Sequence, residues 1–333
     1  MGCAASLAEA LDAPADCAVW LDIEAPGAEE LALLADHFRF HPLAIEDCLH
    51  IQKRAKIERY PSHGFVVLCA LDRTTRDDLL DTVPVCIFLR PGLIVSVHPK
   101  RVTALERVET LLGAEPDRVG TASERVLHAL VDAVVDEFLP LVDDQGDHVD
   151  ELEVAAARTP TPAVMDALIT ARHDLLQVRR IILPHIEVIR RLVDPDAKEV
   201  SPEYRVYFRD VLDHALIVHD NVSLHLEVAN GAISVHANAV NEHLNQVMRF
   251  LAVVSTFMLP WTIISGIFGM NFDVIPAAHQ PFGFYIAISL MLACSMGLLV
   301  WFRRRGWVGS PPSERSRRKR DRPVHKGSPT WRN

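Results

Sequence analysis

Between Phe250 and Phe272 the chain carries no charged side chain, and between Val274 and Phe302 it again carries none apart from the titratable His279. Each run is long enough to cross the apolar core of a bilayer, which takes about 20 residues of helix. The short link around Asp273 to Pro281 leaves the two segments little choice but to run antiparallel. Arg249 precedes the first segment, Arg303, Arg304 and Arg305 follow the second, and the link holds no Lys or Arg. The positive-inside rule therefore places both ends of the chain in the cytoplasm. A buried hairpin in a soluble protein would show a polar face over helices of this length. A tail anchor would need one span only.

The segment that feeds the first span is equally constraining. From Pro202 to Phe268 there is no further proline until Pro260 and no turn cluster, which predicts one helix of 67 residues. At about 1.5 Å per residue it would reach about 100 Å, and a helix of that length needs neighbours along it. Steps of seven from Ser234 give Asn241, Met248, Ser255 and Thr262, and the interleaved series is Asn238, Asn245, Ala252 and Leu259. This face is small or uncharged polar over many turns. Buried amides need partners, so it makes a poor seam for a dry coiled coil. In a symmetric ring of copies each such residue becomes a ring of groups around a wet axis. The plainer alternative is that these residues only set register between helices.

The first span closes in Gly266-Ile267-Phe268-Gly269-Met270-Asn271-Phe272, preceded by Met258-Leu259-Pro260-Trp261-Thr262. Here the chain resembles the CorA family of divalent-cation channels, whose signature is a Gly-Met-Asn triplet ending the first of two C-terminal spans. Trp20-Leu21-Asp22, the stretch from His41 to Asp47 and that from Arg54 to Glu58 are similar to the family's N-terminal domain, so the resemblance covers nearly the whole chain. It implies an α+β cytoplasmic domain, a long-helix stalk and two C-terminal transmembrane helices. The assembly it implies is a funnel-shaped homopentamer in the cytoplasmic (inner) membrane, in contact with lipid. Magnesium is the implied cargo, with cobalt and nickel as further candidates. A zinc transporter resembling ZntB and a non-conducting, cation-sensing scaffold are the alternatives.

On that resemblance Gly269, Met270 and Asn271 form the selectivity filter. Magnesium holds its waters tightly, so uncharged acceptors at Asn271 and the Gly269 carbonyl suit the hydrated ion, whereas the soft thioether of Met270 suits packing. The pore-lining candidates are Asn238, Asn241, Asn245, Met248, Ala252, Ser255, Leu259 and Thr262. Met248, Leu251 and Leu259 are the expected apolar gate. Regulatory magnesium is expected between subunits, at Asp210 and at an acidic loop holding Asp72, Asp77, Asp78 and Asp81. The link departs from the family pattern, because Asp273 is its only acid and His279 accompanies it.

Charge supports this reading. The formal total of −10 hides a local +9 on residues 303–333, where eleven Lys and Arg face Glu314 and Asp321, so residues 1–302 carry −19. An acidic body attracts cations and argues against nucleic acid. Cys3, Cys17, Cys48, Cys69, Cys86 and Cys294 show no metal spacing and read as free thiols. His41, Glu46 and Asp47 fit a helix start, and His148, Asp150 and Glu151 fit a solvated helix face. No phosphate loop, nucleophile triad or zinc spacing is present, so neither an enzyme nor an organic cofactor is expected. No apolar signal sequence is expected at the N-terminus.

Short apolar runs at Cys17 to Ile23, Gly64 to Leu71, Val83 to Leu89 and Leu93 to Val97 predict strands, with a turn at Arg90-Pro91-Gly92. Helical spacing covers 28–38, 42–50, 121–157 and 162–192, with Pro184 kinking the last without ending it. The expected organisation is an α/β domain over 1–120, a helical hairpin over 121–200 and a stalk over 201–249. Spans at 250–272 and 282–302, a link at 273–281 and a basic tail at 303–333 complete it.

Overall fold

A computed structural model of the chain describes residues 19–49, 54–72, 80–114, 123–197, 199–270 and 281–307. The chain divides into two compact units, Met1–Ala239 and Val240–Asn333.

The first unit is α+β. Its sheet is built from β1 (Val19–Glu24), β2 (Lys56–Arg59), β3 (Gly64–Leu71), β4 (Thr82–Arg90) and β5 (Leu93–His98), in the order β1-β5-β4-β3-β2. β1 pairs parallel with β5, and the other neighbours are antiparallel. The central strands β3 and β4 are buried on both faces, so they read as continuous apolar runs rather than alternating ones. Gly92 closes the β4–β5 hairpin at φ 77°, a conformation that glycine adopts without strain and that follows naturally from Pro91.

Helices cover both faces. α1 (Ala28–Phe38) and α2 (Pro42–Leu49) sit over the face of Phe65, Val67, Phe88 and Val95. The opposite face, with Val66, Leu68, Val85 and Ile87, joins a core shared with α3 (Thr103–Ala114), α4 (Ser123–Asp136), α5 (Phe138–Arg158), α6 (Pro162–Val193) and the first part of α7 (Arg205–Phe268). The Glu30 carboxylate accepts the Gly27 amide at 2.8 Å to start α1, and the Thr161 hydroxyl accepts the Val164 amide at 3.4 Å to start α6. A cap of this type is worth about 1 kcal/mol.

Several elements differ from the sequence expectation. The helix expected over 121–157 is two helices, α4 and α5, separated at Glu137. The cause is Pro140, whose ring clashes with the carbonyl four residues back, at Asp136, yet is tolerated in the first turn of a new helix. The strand β2 and the helix α3 were not expected as elements. β2 is a short, charged edge strand without apolar alternation, which is how sheet edges avoid pairing with other chains. α6 does continue through Pro184, as expected.

His185, one residue on, ties α6 to the sheet. Its Nε2 accepts the Cys69 amide at 3.0 Å, and its Nδ1 donates to the Ile181 carbonyl at 2.8 Å. β2 pairs with β3 only from Gly64 to Val67, so the Cys69 amide lies beyond its reach. Cys69 sits opposite Pro84 in β4, which has no amide proton to offer in return. The imidazole thus accepts a buried strand amide at a point where the ladder with β2 has ended.

Among the described residues, α7 and α8 (Gly283–Arg304) are the two helices long and apolar enough to cross a membrane, and the second unit holds the remainder of α7 together with α8. The Trp261 indole donates to the Ser295 hydroxyl at 2.7 Å, and Phe257 stacks on Phe302 at 6.0 Å. Advancing along α7 from 257 to 261 means retreating along α8 from 302 to 295, so the pair is antiparallel. Arg305 lies over the Trp301 ring at 5.1 Å.

Candidate functional site

The residues of α7 that touch α8 define the opposite face as well. Phe257, Pro260 and Ile264 are half-buried or buried along one side of the helix. At 100° per residue, Met248, Ala252, Ser255, Leu259 and Thr262 fall on the side turned away from them. All five are exposed, as are Asn241 and Asn245, and Asn238 is exposed in the first unit. Within the second unit the stripe from Asn241 to Thr262 is therefore one face, exposed among the described residues.

The gate candidates on and beside this face are conspicuously open: Met248 is 67% exposed, Leu251 57% and Leu259 59%. Thr262 donates its hydroxyl to the Met258 carbonyl at 3.0 Å. Its oxygen lone pairs are left for a donor such as water. The helix ends at Phe268, with the Gly269 amide bonded to the Ser265 carbonyl at 2.9 Å and the Met270 amide to the Ile267 carbonyl at 3.3 Å. A Cβ on Gly269 would lie 3.1 Å from that Ser265 oxygen, whereas one on Gly266 would meet nothing within 4 Å. Gly269 is thus needed for close approach, and Gly266 is not. Met270 is 50% exposed. Asn271, Asp273 and His279 lie outside the described residues.

The regulatory candidates belong to the first unit. Asp72 is buried and ion-paired with Lys100, and its amide bonds to the Asp81 carbonyl at 2.8 Å. Its charge already has a partner, so a cation would have to displace the ammonium. Asp77 and Asp78 lie outside the described residues. Asp210 is exposed on α7.

One turn on from Asp210, His214 faces Asp132 and Asp136 of α4. Its Nδ1 lies 3.2 Å from the Asp136 carboxylate and 4.0 Å from that of Asp132, and the three ligand atoms lie within 4.8 Å of one another. Burial raises the Asp132 pKa, the charges of Asp136 and Asp210 push it further in the same direction, and His128 and His214 oppose them without reversing the shift. The site thus stores like-charge repulsion that a bound cation would relieve. Sequence reasoning passed over this cluster. Its signal was present as two four-residue steps, Asp132 to Asp136 and Asp210 to His214, each placing two metal-ligating side chains on one helix face. Only the packing of α4 against α7 brings the two steps together.

The other charged constellations have local explanations. The His41 ring accepts the Leu43 amide at 3.3 Å at the start of α2, and Asp47 is ion-paired with Lys56 at 2.6 Å. His148, Asp150 and Glu151 are exposed along α5.

Residues 16–304 match the model of a known family, the CorA-like Mg2+ transporter proteins. The chain belongs to that family. It is a family of metal-ion transporters, not of enzymes. The chain is 33% identical to YfjQ of Bacillus subtilis over 292 residues, covering 86% of this chain and 89% of that one. It is 25% identical to the cobalt/magnesium transport protein CorA of Thermotoga maritima over 276 residues, covering 83% and 79% respectively. Its fold matches the complete CorA magnesium transporter of Methanocaldococcus jannaschii with a TM-score of 0.76 at 22% identity, over 87% of this chain and 91% of that one.

Proposed function

We propose that this family member is one subunit of a homopentameric channel that passes magnesium into the cell, with both termini cytoplasmic and α7 and α8 as its two membrane spans. The observation that carries this reading is the exposed α7 face opposite α8. Lipid suits the apolar flanks of the pair, but it does not suit a stripe holding Asn241, Asn245, Ser255 and Thr262. Copies arranged around an axis turn that stripe inward, where rings of amides and hydroxyls meet a hydrated ion. Met248, Leu251 and Leu259 then form apolar constrictions, and Gly269, Met270 and Asn271 form the outer filter. The basic residues Arg303, Arg304 and Arg305 with Trp301 at the end of α8 match a cytoplasmic interface.

Feedback closure follows from the acidic body. A cation held at Asp210 between neighbouring subunits binds the closed state better than the open one, and that difference in affinity is what shifts the equilibrium. Asp210 suits this role better than Asp72, whose charge is met by Lys100. The imidazole of His214 adds a nitrogen donor nearby, which favours cobalt or nickel over magnesium at that end of the site.

The test is cation entry into liposomes holding the purified protein, measured for magnesium, cobalt, nickel and zinc in parallel. Magnesium entry that is lost in a correctly assembled Asn271→Ala protein is the expected result. Zinc entry alone would favour the zinc-transporting alternative. No entry of any cation would leave the cation-sensing scaffold and overturn the channel.

A further inference from the structure

A second chemistry sits on the side of the sheet away from the regulatory cluster. Cys48, near the end of α2, is partly exposed, and Cys86, in the middle of β4, is buried. Both thiols line one cavity of about 280 Å³, together with Asp47, Leu49, Pro84 and His98. The Cys48 side chain packs against the apolar cluster that contains Cys86, and its thiol donates to the Ala44 carbonyl at 3.2 Å. Cys86 is thus the sheet cysteine that shares both a cavity and an apolar cluster with Cys48. Cys69 lies on the same face of the sheet, opposite Pro84 of β4, but is not among the residues lining this cavity.

We propose that Cys48 and Cys86 are a redox pair, which a low-molecular-weight disulfide entering this cavity closes into an internal disulfide that pins α2 to β4. The step is an ordinary pair of exchanges. The Cys48 thiolate, the more accessible of the two, attacks one sulfur of the small disulfide. The small disulfide's S–S bond breaks, a mixed disulfide forms on Cys48, and the expelled thiolate takes up the proton that Cys48 gave to water. The Cys86 thiolate then attacks the Cys48 sulfur and expels the second small thiolate, which is protonated in turn. Two protein thiols are oxidised, and one small disulfide is reduced to two thiols.

The surroundings set the conditions of the reaction. The neighbouring Cys86, burial and the charge of Asp47 raise the Cys48 thiol above its ordinary range, and the Lys56 ammonium opposes them. His98, the other titratable side chain lining the cavity, is held by Asp22 at 3.1 Å and by the Lys100 carbonyl at 2.7 Å, so both its ring nitrogens are engaged. The thiolate is the attacking species, so the rate of closure rises with pH and the pair stays reduced at low pH.

The experiment uses the full-length protein, exposed to oxidised glutathione at several pH values, quenched with iodoacetamide and digested without reduction. The expected product is a pair of peptides joined through Cys48 and Cys86, lighter than the two free peptides by two hydrogens, formed faster at higher pH and released by dithiothreitol. In Cys86→Ser the reaction stops at a glutathione adduct on Cys48, and in Cys48→Ser no linked peptide forms. The proposal is overturned if wild type gives only alkylated Cys48 and Cys86, a stable glutathione adduct without the link, or a link between other cysteines. The wild-type peptide map decides the matter even if a serine variant fails to fold.

Discussion

Replacing His185 probes the tie between α6 and the sheet, and the structure sets the size of the effect. The ring is fully buried, and its two nitrogens serve the Cys69 amide and the Ile181 carbonyl as a neutral tautomer. Burial holds its pKa down to about 4, against the Ile181 carbonyl, which acts in the other direction. A histidine in an unfolded chain titrates near 6.5. Between these values the unfolded chain binds a proton that the folded chain refuses, so stability falls as pH falls from about 6.5 to about 4 and is unaffected by this group outside that window. At about 1.36 kcal/mol per unit, the loss amounts to roughly 3 kcal/mol. His98 acts with the opposite sign. Burial works against its charged form, but the hydrogen bond and charge of Asp22 outweigh burial and raise its pKa. Its contribution is therefore present below about 6.5 and fades as pH rises through the raised value. Burial also lowers the His63 pKa, so His63 acts with the sign of His185, and the comparison with a His185 variant separates the two. The assay is pulse proteolysis in urea, comparing wild type with His185→Gln from pH 4 to pH 7. Glutamine keeps an oxygen for the Cys69 amide but does not titrate. The variant is expected to start less stable at pH 7 and to lose roughly 3 kcal/mol less on acidification. Identical slopes would refute the buried neutral histidine.

Gly146 of α5 lies beneath His225 of α7, and a Cβ there would come within 2.3 Å of the imidazole. Gly146→Ala should therefore cost about 1–3 kcal/mol in wild type. In a His225→Ala background it should instead stabilise by up to about 1 kcal/mol through helix propensity, as read from urea midpoints of the four-member cycle. Met248→Asp and Leu259→Ser should each raise the leak of the closed channel, and currents no larger than wild type would move the gate elsewhere. Asp210→Ala should weaken inhibition by internal magnesium, with Asp210→Lys mimicking permanent occupancy in charge. Superimposable inhibition curves for wild type and Asp210→Ala would remove Asp210 as a sensor.

What the sequence determined by itself is whatever depends on local pattern or on a long uninterrupted run. The two uncharged spans, the proline-free stretch of α7, the Pro91-Gly92 hairpin and the apolar runs of β3 and β4 are one-dimensional signals, because membrane crossing, helix continuity and burial on both sheet faces each act on consecutive residues. The polar stripe from Asn238 to Thr262 was legible for the same reason, since a helix converts fixed spacing into a face. Pro140 was also there to be read, yet its effect depends on a clash four residues back, and apolar periodicity runs across it undisturbed. The edge strand β2 carries no alternation, and so no pattern marks it. The remaining features required tertiary structure, because they join residues far apart in the chain. The imidazole of His185 meets Cys69, 116 positions away. His214 meets Asp136 across 78 positions. Cys48 meets Cys86 only because α2 folds back over β4. No local spacing encodes such meetings. They are decided by which helix faces bury together, and that is a property of the whole core.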